Sequence, residues 1–392
     1  MRIVMVMDDP FPPDLRVERE ALALLAAGHE VTIITFMQTN RGLDSADHKG
    51  IEVITLPLSR FWYKMSALAY SVPYYHLHLS QRLSEVLNGR KVDVLHIHDL
   101  RVARAAFQAR PRGCKVVLDL HENRPEIMRF YKHVRSLRGR LTIFPNVWAR
   151  FERRYIRASD ATIVVTREAE EWYRERDILP RKGFWVVPNY SARGFNPNPN
   201  PKSLDGGRLN MLYIGDTGER RGLVVALQAL RSHAFDRDVM LHVLGESTFQ
   251  PRIREMVREW GLEDKVTLHG WVDPSTFDQY LSTGHVGICP IQRNPHHDTT
   301  YANKVFQYMA YGMPILVSDC PAQAAVAEEH GCGVSHRADS PEDFAAAFEH
   351  IISDTDRFRA MSEAGLRATR EACNWEVVAD RLAGNYASLF RG

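Results

Sequence analysis

Short runs of aliphatic and β-branched residues alternate along the chain with longer stretches in which apolar positions recur every three or four residues. That alternation is the pattern of a parallel sheet assembled from strand–helix–strand units. In the first half it predicts strands at 3–7, 30–36, 51–56, 92–97, 115–120, 161–165 and 184–187, with a helix over 14–27 capped by Gly28. Residues 188–207 then break the pattern with a concentration of proline, asparagine and glycine, as an interdomain connection does. The alternation restarts with strands predicted at 209–214, 239–244, 265–268, 286–289 and 315–317. The expected organisation is an α/β fold of two Rossmann-like domains facing across a cleft, over 1–187 and 208–373, with a terminal segment at 374–392. Paired domains of this kind hold ligands at the carboxyl edges of their strands.

Composition narrows the picture little. The 392 residues are 45% hydrophobic and 25% charged, an ordinary globular balance. The opening apolar run is cut by Asp8 and Asp9, so it reads as a buried first strand. Five scattered cysteines without close-spaced pairs argue against disulfides and structural zinc, and for a reducing cytoplasm. Charge is more informative. Residues 1–190 carry 30 Lys+Arg against 22 Asp+Glu, whereas the remainder carries 20 against 26. Within the basic half, 129–157 holds nine basic residues, and Val147, Trp148, Phe151 and Tyr155 fall at helical spacing among the arginines. A basic amphipathic helix of this kind fits peripheral contact with an anionic inner-membrane surface, although core packing explains an apolar stripe equally well. A second stripe, Met65, Leu68, Val72, Tyr75 and Leu79, carries the same two readings. No nucleic-acid-binding motif accompanies the charge.

Two segments carry candidate chemistry. Gly215-Asp216-Thr217-Gly218-Glu219-Arg220-Arg221-Gly222 follows the first strand of the second half and leads into a helix. Such a turn offers backbone N–H groups and a helix dipole to a phosphate, with Arg220 and Arg221 adding forked donors. In Asn303-Lys304-Val305-Phe306-Gln307, Asn303 and Lys304 occupy a first helical turn, where a lysine opposes the dipole unless an anion is present.

Taken together, these segments resemble the retaining glycosyltransferases of family 4, which have the GT-B fold. The likeness also runs through Asp14-Leu15-Arg16-Val17, the strand ends His96-Ile97-His98-Asp99 and Leu118-Asp119-Leu120-His121, the hinge at Val187-Pro188-Asn189, and Asn374-Trp375. It implies transfer of a sugar from a UDP- or GDP-sugar to a lipid-linked or polysaccharide acceptor, with no metal and no cofactor beyond that co-substrate. It also implies that the terminal helix packs back on the first domain. By the same resemblance, His121 is the catalytic histidine lying against the donor sugar, and Arg221 neutralises the diphosphate together with Gly215, Arg220 and Lys304. Trp271 and Val272 adjoin the nucleobase, Arg16 and His98 lie on the acceptor side, and His297, Thr299 and Asn303 line the sugar site. The family's two glutamates, eight positions apart, are here Thr299 and Gln307; Gln307 keeps one ribose acceptor without the charge. Asp298, one position from Thr299, is the candidate replacement. These departures leave two rivals: a nucleotide-sugar 2-epimerase, and a partner protein that kept the fold without turnover.

Overall fold

A computed structural model describes residues 1–38, 43–205 and 207–391. The chain forms two compact units, Met1–Pro188 with Val378–Gly392, and Asn189–Val377.

The first unit is built on an eight-stranded sheet. Its strands are β1 (Arg2–Val6), β2 (Glu30–Met37), β3 (Asp44–His48), β4 (Ile51–Pro57), β5 (Val94–His98), β6 (Lys115–Leu120), β7 (Ala161–Val164) and β8 (Phe184–Val186). They lie in the order β3-β4-β2-β1-β5-β6-β7-β8, so the strand order reverses between β1 and β5. Ile3 pairs with both Val31 and Val94 in parallel register. Helices cover the sheet, which is why its strands other than β3 read as largely apolar runs. The helix Leu15–Ala26 starts where the Asp14 carboxylate accepts from the Val17 N–H at 3.0 Å.

The second unit repeats the plan with β9 (Leu209–Ile214), β10 (Val239–Leu244), β11 (Val266–Gly270), β12 (Val286–Cys289), β13 (Ile315–Ser318) and β14 (Gly333–His336). Their order, β11-β10-β9-β12-β13-β14, reverses between β9 and β12. The helix Asn303–Ala310 lies against β12, and Gly287 provides the room: a Cβ there would overlap the Tyr308 ring. Tyr308 in turn accepts the Ile214 N–H at 2.9 Å, fixing the helix against the end of β9.

Four readings change on inspection. The antiparallel edge strand β3 and the short β14 do not appear in the sequence pattern: β3 is mostly polar, and exposed except for the half-buried His48, so it has no alternation to betray it. The segment 188–207 packs, from Asn189 onward, with the second unit, where the Asn196 amide donates to Ala310 O at 2.9 Å. In the helix Pro145–Ala158 the apolar stripe faces inward. Trp148 and Tyr155 are buried and Phe151 stacks on Tyr70 at 4.7 Å, so only the arginine face meets solvent. The stripe from Met65 breaks into Arg60–Met65, Ser66–Leu68 and Tyr74–Leu87, with Tyr75 and Leu79 in the core.

From Val378 the terminal helix Trp375–Ser388 belongs to the first unit. Tyr386 is buried there and its hydroxyl meets His96 Nδ1 at 2.7 Å.

Two glycines separate packing from backbone effects. Gly287→Ala is expected to cost about 1–3 kcal/mol through overpacking on Tyr308. Gly384→Ala, at an exposed helical position with nothing within 4 Å of the new methyl, is expected to stabilise by about 0.5–1 kcal/mol. Urea unfolding of both variants measures the contrast.

Candidate active site

In the second unit the residues of interest gather at the carboxyl end of β9, beside the point where strand order reverses. The chain leaves β9 through Gly215 (φ 118°) and re-enters a helix at Gly222 (φ 71°), a left-handed turn in which a Cβ would overlap the Pro290 carbonyl. Neither the helix Leu223–Ser232 nor the helix Asn303–Ala310 has a side-chain cap at its N-terminus. Val225 and Val305 N–H are bonded to the Gly222 and Ala302 carbonyls, so in each helix it is the first two N–H groups, uncapped by any side chain, that face a ligand's position.

Lys304 rises from the second of these helices to place Nζ 3.5 Å from the centre of the Tyr213 ring, close to Gly215. Among the described residues its ammonium has neither a hydrogen bond nor a carboxylate partner. Burial pushes its pKa down to about 8, and the neighbouring Arg221 acts in the same direction. Arg221 is half-buried, with Nε 3.3 Å from Asp216 Oδ2. Asp216 thus pairs with a cation in its own turn.

His297 is buried against the same cations. Its Nδ1 lies 2.9 Å from the Asn294 amide nitrogen and, closer, 2.7 Å from the Gln292 carbonyl; that carbonyl can only accept, and the shorter contact favours the ring proton on Nδ1. Nε2 is then a bare acceptor, buried without a protein partner. Burial foremost, with Arg221, Arg220 and Lys304 adding to it, pushes His297 down to about 4 and keeps the ring neutral.

Other expected residues fall differently. The Asp298 carboxylate is gripped by Arg293, at 2.7 Å from Nε and 3.2 Å from a terminal nitrogen. The Thr299 hydroxyl donates to Pro295 O at 2.7 Å within its own turn. Neither group is directed at the Lys304 cluster by these bonds. Gln307 lies one turn after Lys304 and is half-buried, Asn303 is exposed, Trp271 is 67% exposed, and Val272 packs on the core.

In the first unit, the ends of β5 and β6 carry a buried polar network. His98 and Asp119 are register partners on these adjacent strands. Arg16 binds Asp119 with two parallel donors, Nε at 3.2 Å and a terminal nitrogen at 2.9 Å, while its other terminal nitrogen donates to Val187 O at 2.9 Å. His98 Nδ1 and His121 Nε2 each lie 3.3 Å from Asp119 Oδ2. Glu20, one turn after Arg16, lies 3.1 Å from the guanidinium, and His96 stacks on His98 at 4.1 Å.

Burial opposes charge on Asp119, yet Arg16 and His121 hold it well below the usual carboxylate range. Burial alone would depress His121, but Asp119 lifts it above the ordinary histidine value. Glu20 goes the other way: burial, with the charge of Asp119 beside it, pushes it up to about 8, so it is protonated at neutral pH. His96 is driven well down by burial and by His98, and remains neutral. Arg16 and His98, expected on the acceptor side, are both buried: Arg16 is bound to Asp119 and Val187 O, and His98 faces Asp119 through Nδ1 while its Nε2 has no hydrogen-bond partner among the described residues.

Glu20, His96, His98 and Asp119 place potential ligand atoms within 4.8 Å of one another. Arg16 already takes both oxygens of Asp119, so the set is completed by a fixed guanidinium and fits a metal ion poorly. Of this network the sequence reading singled out Arg16, His98 and His121. Asp119, a charge inside an apolar strand run, and Glu20, four residues after Arg16, were the available signals for the rest.

The protonation of Glu20 has a measurable sign. Its pKa is higher folded than unfolded, so the folded state binds more protons between about pH 4.5 and 8, and stability falls as pH rises through that window. In Glu20→Gln this component is absent. The wild-type-minus-variant difference in unfolding free energy, measured by denaturant titration from pH 5 to 8, is expected to shrink steadily toward alkaline pH.

Comparison with known proteins agrees with this geometry. Residues 14–190 match the model for a glycosyl transferase 4-like domain, and residues 208–354 match the model for glycosyl transferases group 1. Alpha-D-kanosaminyltransferase of Streptomyces kanamyceticus is 20% identical over 309 residues, covering 75% of this chain and 77% of that protein. Sucrose-phosphate synthase from Thermosynechococcus elongatus has the same fold, with a TM-score of 0.76 at 18% identity over 99% of both chains. So does HepE of Anabaena, solved with UDP-glucose, with a TM-score of 0.68 at 13% identity over 99% of this chain and 100% of that one. With both units matched in order, the chain belongs to the GT-B glycosyltransferases of the family-4 type.

Proposed function

We propose that this glycosyltransferase takes its sugar from a UDP- or GDP-sugar held by the second unit. It passes the sugar to a lipid-linked or polysaccharide acceptor held by the first, with retention of configuration and without a metal. The observation that carries the donor assignment is Lys304, a half-buried ammonium with no hydrogen-bonded or ion-paired carboxylate among the described residues, next to Arg221, Gly215 and two uncapped helix N-termini. A nucleoside diphosphate supplies what this arrangement lacks. As the glycosidic bond breaks, negative charge grows on the departing diphosphate, and fixed cations stabilise that state more than the bound donor. The neutral His297, with Nε2 bare, is suited to accept a hydrogen bond from a sugar hydroxyl. His121 is the proposed catalytic histidine, held in place by Asp119. HepE, of the same fold, is described with UDP-glucose, which supports a donor of this class.

Thermal-shift measurements with UDP, GDP, ADP and dTDP test the donor site. The matching diphosphate at a hundredfold excess over its dissociation constant is expected to stabilise by about 2.7 kcal/mol, and Lys304→Ala or Arg221→Ala to abolish the shift. No stabilisation by any of the four at millimolar concentration would sink the proposal. Gln307→Glu restores a charged ribose acceptor and is expected to tighten binding of the same diphosphate by up to about tenfold. Turnover of the sugar nucleotide without any acceptor would point instead to the epimerase reading.

A further inference from the structure

The second unit contains a cavity of about 470 Å³ outside the Lys304 cluster, where the segment that opens the unit meets the helix Thr355–Glu371. Its wall is drawn from residues 191–373 and so lies within that one unit. Ala310 is part of the wall and Lys304 is not; they stand near opposite ends of one helix, about 9 Å apart along its axis. A cavity of roughly 300–1,000 Å³ suits a small molecule.

Three guanidinium groups line it, Arg193 from the opening segment and Arg367 and Arg370 from the helix. All three residues are exposed, and none of their side chains has a hydrogen bond, ion pair or ring contact among the described residues. The groups that would ordinarily neutralise them are engaged elsewhere. Glu363, the one carboxylate in the wall, stands four residues before Arg367, the spacing of a helical ion pair. It binds Arg359 instead, at 3.1 Å from Nε.

The carbonyls at the nearby helix ends are occupied as well. Thr369 O and Arg370 O each accept from the Asn374 amide at 2.9 Å, Ala368 O accepts the Cys373 N–H at 2.7 Å, and Ala310 O accepts from the Asn196 amide at 2.9 Å. Arg370, in the last turn, suits the negative end of the helix dipole. Arg367 lies a turn earlier and Arg193 belongs to another segment, so the dipole does not account for the three together. Nor does a generally basic surface, since residues 191–392 carry 20 Lys+Arg against 26 Asp+Glu.

We propose that this cavity binds a small polyanion, a molecule whose two or more carboxylate or phosphate groups meet Arg193 on one side and Arg367 with Arg370 on the other. Guanidinium forks match both kinds of oxyanion with paired hydrogen bonds. Two sources share that chemistry, a sugar bisphosphate and a tricarboxylate. Leu366 and Ala310 offer apolar contact to the ligand's carbon frame.

The full chain is titrated calorimetrically with fructose 1,6-bisphosphate, with citrate and with the uncharged polyol erythritol. Wild type is expected to bind at least one polyanion and not erythritol, and the tighter of the two identifies the source. Arg193→Ala, Arg367→Ala and Arg370→Ala are each expected to weaken that binding about tenfold or more, as loss of a charged hydrogen-bond donor does. The three side chains are exposed, so these variants fold. Arg254→Ala, which removes an exposed arginine from the helix Gln250–Glu259 of the same unit, is expected to bind as wild type does, and so is Lys304→Ala. Absence of binding to both polyanions, or wild-type affinity in Arg367→Ala and Arg370→Ala, overturns the proposal. Loss of binding in Lys304→Ala also overturns it, by placing the anion at the donor cluster. The nucleoside diphosphate shift is expected to persist in the three arginine variants, so this site and the donor assignment stand or fall separately.

Discussion

The buried Asp119 carboxylate is the constraint around which the first unit is arranged. A carboxylate taken fully out of water carries a desolvation penalty of several kcal/mol unless its partners are near and well oriented. Arg16 supplies that through two parallel hydrogen bonds. To do so, it must leave the first helix at one place and angle, with its remaining nitrogen tied to Val187 O. His98, His121, Glu20 and His96 then find their protonation states in the field of this pair. One like charge too many would be costly, and Glu20 avoids it by keeping its proton. The outcome is a histidine at the strand edge whose position and charge are set from beneath.

The second unit is organised by the opposite condition. At the corresponding place in its sheet, Arg221 pairs with Asp216, Lys304 has no carboxylate partner among the described residues, and two helices begin there without side-chain caps. The first unit sets cations against a buried carboxylate; on the proposed reading the second leaves part of that balance to a diphosphate. Tyr213 makes the surplus tolerable by offering its ring face to Lys304, a cation–π contact that stabilises an ammonium without filling the space an anion needs.

Much of this was legible in the sequence. Parallel strands covered by helices are largely apolar, so their positions stood out, whereas β3, mostly polar and exposed, carried no such mark. Lys304 was legible because a lysine in a first helical turn opposes the helix dipole, and Gly215 and Arg221 because they belong to a glycine-bearing turn from strand to helix. Asp298 was not, because its fate depends on Arg293, five positions earlier, and on how the short helix Pro295–Asp298 turns its side chain. The arginine-rich helix at Pro145–Ala158 left two readings open for a related reason: periodicity shows that one face is apolar, and only the tertiary structure shows that Tyr70 and Phe107 pack on it.

The hydrogen bond between Tyr386 and His96 has a consequence for how the protein is made. His96 belongs to the core of the first unit, but the residue that closes over it lies 290 positions later in the chain. At about 5–20 residues per second, a ribosome needs roughly 10–40 s after Pro188 to deliver the 189 residues Asn189–Val377 of the second unit before that helix emerges. For that interval the first unit exists with its sheet complete and one wall missing. Its maturation therefore waits on the synthesis of its neighbour, and a nascent chain released early would carry an exposed histidine network in place of a finished core.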